Sequence, residues 1–189
     1  MIKQPPRIDT EDELALAKLV AKYALLPHPS VVREVRNPVF PTLRVNRELR
    51  NKTTECGRYV GDDNKSPRWA LLWAHGFKRQ TVASGWQVAH IWERAKDPAA
   101  FTQLANLAFV PKSLTRLTDD GGAAAAFLRW HSAHVYQWAP TDAEIGAAPL
   151  GYSEIDWNYL PRCNNPREVI EERRASQDRL MLAINKLST

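Results

Sequence analysis

Two cysteines, Cys56 and Cys163, are all that the 189 residues contain. That is too few for a disulfide scaffold or a four-cysteine zinc knuckle, and the expected setting is reduced and cytoplasmic. Long apolar runs are missing too. The longest, Trp69 to Phe77, includes a histidine and a glycine and is far too short to span a bilayer, so no membrane partner is expected. Met1-Ile2-Lys3-Gln4-Pro5-Pro6 lacks the apolar stretch of a secretory signal. The chain has no internal repeat, and its only low-complexity tract is the four alanines at 123–126.

A hydrophobic fraction of 44% and a charged fraction of 25% are ordinary for a globular protein and exclude a wholly disordered or collagen-like chain. The length suits one domain of roughly 150 residues with extensions, or two small ones, with a core that needs no staples. The seven tryptophans fit core, interface or stacking roles. The net charge of +5 is unevenly spread. Residues 31–96 carry thirteen basic and six acidic groups, net +7, whereas residues 97–161 carry three and seven, net −4. A basic half followed by an acidic stretch is what one polyanion-facing surface produces, although a solvated face of arginines produces it equally.

Three regions are expected: a helical and basic connector at 1–60, a central unit at 61–140 and an aromatic loop with a helix at 141–189. Thr10-Glu11-Asp12-Glu13 reads as a capping box that opens a helix carrying Leu14, Ala17, Ala21 and Leu25. Pro27 and Pro29 end it, and 27–43 reads as an extended connector. The type of Arg44 to Glu55 stays open. Trp69 to Ala74 is a short buried run. Trp86 to Trp92 reads as a strand with Trp86, Val88, His90 and Trp92 on one face. A short helix is expected from Asp97 to Leu104, a strand at Leu107-Ala108-Phe109-Val110 and a short helix from Lys112 to Thr118. Longer helices are expected at Ala123–Trp138 and Pro166–Leu187.

The stretch 86–119 carries the chemistry. His90 closes one strand, and sixteen residues later Asn106 opens another that runs into a short helix. A neutral imidazole beside a phosphodiester can take a proton from water. An asparagine can hold that ring, through its amide or its backbone, and a divalent cation can stabilise the leaving oxygen. His131 and His134, three apart on a helix, could ligate a metal together, but packing among Trp130, Tyr136 and Trp138 is the favoured reading.

Val88-Ala89-His90-Ile91, Asn106-Leu107-Ala108-Phe109-Val110-Pro111 and Leu117-Thr118-Asp119-Asp120-Gly121 together resemble the motif of the HNH endonuclease family, the ββα-metal nucleases. The resemblance covers about 35 residues. It implies an α+β fold with a small ββα-metal-like core at about 86–120 inside a mainly helical domain. It also implies a metal-dependent nuclease with His90 as general base and Asn106 as the orienting residue. Thr115 stands where the family has its last histidine ligand, Ala89 precedes the base where an acid or histidine is common, and the zinc-binding CxxC pairs are absent. A divalent metal, Mg²⁺ or Mn²⁺, would then fall to Asp119 and Asp120, with Glu93, His131 and His134 as outlying donors.

The leading expectation is a DNA endonuclease or nickase whose Arg44, Arg47, Arg50, Lys78 and Arg79 bind the backbone without reading sequence. The rivals are a catalytically degenerate nucleic-acid-binding protein and a structural or protein-interaction domain. Protein partners stay open, a homodimer among them.

Overall fold

The computed structural model describes residues 9–44, 59–61, 64–77 and 84–187. Its helices are α1 (Thr10–Tyr23), α2 (Pro29–Val35), α3 (Lys65–Ala74), α4 (Ala125–His134) and α5 (Pro166–Leu187). Its strands are β1 (Thr42–Arg44), β2 (Tyr59–Gly61), β3 (Trp86–His90) and β4 (Leu107–Pro111). The architecture is α+β, with helix and strand mixed along the chain. Among the described residues, no helix is long and apolar enough to cross a membrane.

The centre is the antiparallel pair β3–β4, in which Trp86 faces Pro111 and His90 faces Leu107. Leu107-Ala108-Phe109-Val110 is a continuous apolar run because β4 is covered on both faces, and all four residues are buried. Alternation divides them between two cores. Leu107 and Phe109, with Val88 of β3, meet Val31, Val32 and Val35 of α2, Ala70 to Ala74 of α3, and Ile170 of α5. Ala108 and Val110, with Ile91, meet Ala17, Val20 and Ala21 of α1 and Phe127 and Leu128 of α4. The free edge of β4 is closed by Leu25, whose N–H and C=O both bond Phe109, at 2.8 and 3.0 Å. Such cover removes an exposed sheet edge. β1 and β2 form a separate parallel pair.

Several sequence expectations need correction. The cap of α1 is Asp9, whose carboxylate accepts the Asp12 N–H at 2.9 Å, and Thr10 is already helical. Residues 27–43 are not an extended connector. Pro29 occupies the first turn of α2, and His28 caps it by accepting the Ser30 N–H; proline's fixed φ suits that position, so it starts a helix here. The short buried run at 69–74 belongs to α3. No helix forms over 97–104. Thr102 is drawn away to Phe40, accepting its N–H at 2.9 Å and donating to its carbonyl at 2.8 Å, and only a 3-10 turn, Leu104–Asn106, follows. The helix after β4 is a 3-10 helix over Lys112–Leu117. The strand ends at His90 because Glu93 turns the chain with φ +56°. Trp92 therefore leaves the face of Trp86 and His90 and packs on the second core.

Candidate active site around His90

His90 sits at the last position of β3, half-buried. Its ring stacks on Phe101, 5.3 Å between centroids and 7° from parallel, and its Nε2 lies 3.1 Å from the Phe101 carbonyl oxygen. A carbonyl only accepts, so Nε2 carries the hydrogen and Nδ1 of the neutral ring holds the free lone pair. Nδ1 makes no hydrogen bond among the described residues. Burial lowers the imidazole pKa from 6.5 to about 4; the Phe101 carbonyl opposes this and the charge of Arg44 adds to it. The ring is neutral at pH 7, with the Nδ1 lone pair unengaged among the described residues.

Asn106 is fully buried, and its amide makes no hydrogen bond to the imidazole. Oδ1 accepts the Trp92 N–H at 2.8 Å, Nδ2 donates to the Ala100 carbonyl at 3.0 Å, and the backbone carbonyl accepts the Ile91 N–H at 2.8 Å. These bonds tie both ends of the loop 91–106 together. Ala100 is the neighbour of Phe101, so Asn106 reaches His90 through the backbone that supplies the Phe101 carbonyl.

The acids do not converge on His90. Asp119 pairs with Arg116 at 3.6 Å, and Asp120 pairs with Arg129 at 2.8 Å while its N–H donates to Glu93 at 2.7 Å. Neither has a hydrogen bond or ion pair to His90, and the described residues contain no group of three or more His, Cys, Asp or Glu side chains placed to hold a metal. The Thr115 hydroxyl donates to Lys112 of its own turn at 3.0 Å. His131 is 1% exposed, shares a 2.7 Å hydrogen bond with the Tyr152 hydroxyl, and meets Tyr136 and Trp157 edge-on. His134 instead stacks on Trp130 at the surface, 4.1 Å between centroids. The pair packs and makes no joint site.

Of the expected phosphate-binding cations, Arg47, Arg50, Lys78 and Arg79 lie outside the described residues. Arg44 is at the site. Its N–H donates to Ala95 of the 91–106 loop at 2.7 Å, its guanidinium bonds the Asn64 side-chain oxygen, and its charge reaches the His90 ring. The Nε of Arg44 is buried with no hydrogen-bond partner among the described residues. Sequence reasoning missed Asn64 and the two cations that follow it. Lys65 lies over Trp69, 5.0 Å from the ring centroid, and Arg68 reaches the Trp86 carbonyl at 3.5 Å. The signal that could have found them is the first turn of α3, which carries no acid.

No protein-family model matches this chain, and comparisons with the curated proteins and with the solved structures give no match either.

Proposed function

We propose that the chain is a nuclease hydrolysing DNA phosphodiester bonds, an HNH-type endonuclease or nickase, with β3, β4 and the 3-10 helix after them as its ββα-metal-like core. One observation carries the reading: the Phe101 carbonyl holds Nε2–H of His90 and leaves Nδ1 free on a ring that is neutral at pH 7. A general base needs that state and that orientation. Asn106 fixes the loop that supplies the carbonyl, and Arg44 supplies positive charge for a phosphate beside the ring. DNA is the partner that the basic segment favours.

A divalent metal, Mg²⁺ or Mn²⁺, in this family neutralises charge on the phosphate and leaving oxygen. The described side chains do not fit a protein cage for it, since Asp119 and Asp120 are each engaged by an arginine and no third ligand joins them. What these residues supply is the base, its orientation and one cation.

Nicking of supercoiled plasmid with Mg²⁺ or Mn²⁺ tests the proposal. Wild-type protein is expected to nick, and His90→Ala to lose about 100-fold or more of the rate; equal rates overturn the role of His90. A second reading, a nucleic-acid-binding protein without activity, is favoured by Thr115 and Ala89 at the positions where the family places ligands. It predicts DNA binding that weakens steeply with salt and no nicking by the wild type.

A further inference from the structure

The N-terminus of α3 is built unusually. Asn64 occupies the cap position with φ +53°, a left-handed conformation that asparagine tolerates. An asparagine there ordinarily accepts a hydrogen bond from the first turn of its own helix. Asn64 makes no such bond. Its Oδ1 accepts from Arg44, and its Nδ2 donates to the Val88 carbonyl at 3.1 Å. Val88 precedes His90 by two residues on the same strand face. The side chain thus bridges β1 to β3, leaving the helix end uncapped and the guanidinium of Arg44 fixed on the His90 side of the sheet.

Arg44 is tied at two points, by its backbone to Ala95 and by its guanidinium to Asn64. Arg44 has no carboxylate partner among the described residues, and its Nε is unpaired there. Among the described residues a guanidinium so held keeps donors unengaged in a fixed fork, the arrangement that matches phosphate oxygens.

We infer that Arg44 forms a phosphate-binding site beside His90, and that Asn64 is the positioning residue that aims it, at the expense of capping its own helix. This rests on the nuclease reading for its purpose but not for its test. The ligand is a phosphate group, whether free or within a nucleic-acid strand.

The test uses the full chain with isotope-labelled histidine, titrated with inorganic phosphate at fixed pH and observed by NMR. Phosphate is expected to shift the His90 resonances saturably. Arg44→Ala should abolish that shift, and Asn64→Ala should weaken phosphate binding by about tenfold, the size of a lost charge-assisted bond. Asn64→Gly separates positioning from folding. Glycine adopts the left-handed φ of +53° without strain but has no side chain to bridge Arg44 to Val88, so it should keep the fold, read as an unchanged far-ultraviolet spectrum, yet bind phosphate as poorly as Asn64→Ala. Wild-type affinity in Asn64→Gly overturns the role of Asn64. A His90 signal blind to phosphate, or an unchanged shift in Arg44→Ala, overturns the site. A parallel titration with a short DNA duplex distinguishes the sources: tighter binding than free phosphate assigns the site to a strand, and equal binding assigns it to the free anion. Phosphate binding with no plasmid nicking removes the nuclease reading and leaves the site standing.

Discussion

A single backbone carbonyl decides what His90 can do. Because Phe101 takes Nε2–H, the free lone pair sits on Nδ1, and because Asn106 anchors Ala100, the carbonyl of the next residue stays in place. Asn106→Ala leaves the Trp92 N–H and the Ala100 carbonyl without their partners, and chemical denaturation should show a loss on the order of 2 kcal/mol or more. Asn106→Asp keeps the acceptor but loses the donor and buries a charge, so it should not rescue. The types and spacing of His90 and Asn106 were legible in the sequence. Their linkage was not, because it passes through main-chain groups that every residue possesses. The partnership of Arg44 with Asn64 was hidden for another reason: asparagine before a helix reads as a cap, and only the fold shows its side chain turned elsewhere.

At the scale of elements, apolar runs were easier to read than proline. β4 announced itself as four consecutive apolar residues, a pattern that burial on both faces requires. Pro29 misled because the same ring that breaks a helix interior suits its first turn. The expected helix over 97–104 failed because Thr102 bonds to Phe40 and Asn106 takes the Ala100 carbonyl, and local propensity does not contain those partners. The passage from the 3-10 helix at Lys112–Leu117 into α4 turns on Gly122. A Cβ there would lie 2.5 Å from the Leu117 carbonyl oxygen, a backbone atom that cannot move away because it accepts the Ala124 N–H at 2.9 Å. Gly122→Ala should therefore cost about 1–3 kcal/mol, in the range of overpacked sites, read as a lower denaturation midpoint with the far-ultraviolet spectrum retained.

Over the whole molecule, three buried or half-buried histidines couple folding to acid. Burial lowers His75, His90 and His131 from 6.5 to about 4. The His75 ring shows why the neutral form is required, since Nδ1 donates to the Leu71 carbonyl at 2.6 Å while Nε2 accepts the His28 N–H at 3.0 Å. Between pH 6.5 and about 4 the unfolded chain binds more protons than the native one. Stability must therefore fall as pH drops through that window and be flat in these groups above pH 7. Urea midpoints measured from pH 7.5 to 4 should decline, and His131→Phe should decline less steeply. The charge map was legible in outline. Arg44, Lys65 and Arg68 come from the basic segment and flank β3, but the acids of the following stretch are spent partly on ion pairs, Asp120 with Arg129 and Asp142 with Arg94. Segment totals do not reveal such pairing, because the partners meet only in the fold.

The central claim is that His90 removes a proton from the attacking water, and chemical rescue tests it most directly. Plasmid nicking by His90→Ala should fall by about 100-fold or more and recover in part when free imidazole is added. Nicking by His90→Ala at the wild-type rate, before any imidazole is supplied, would contradict it.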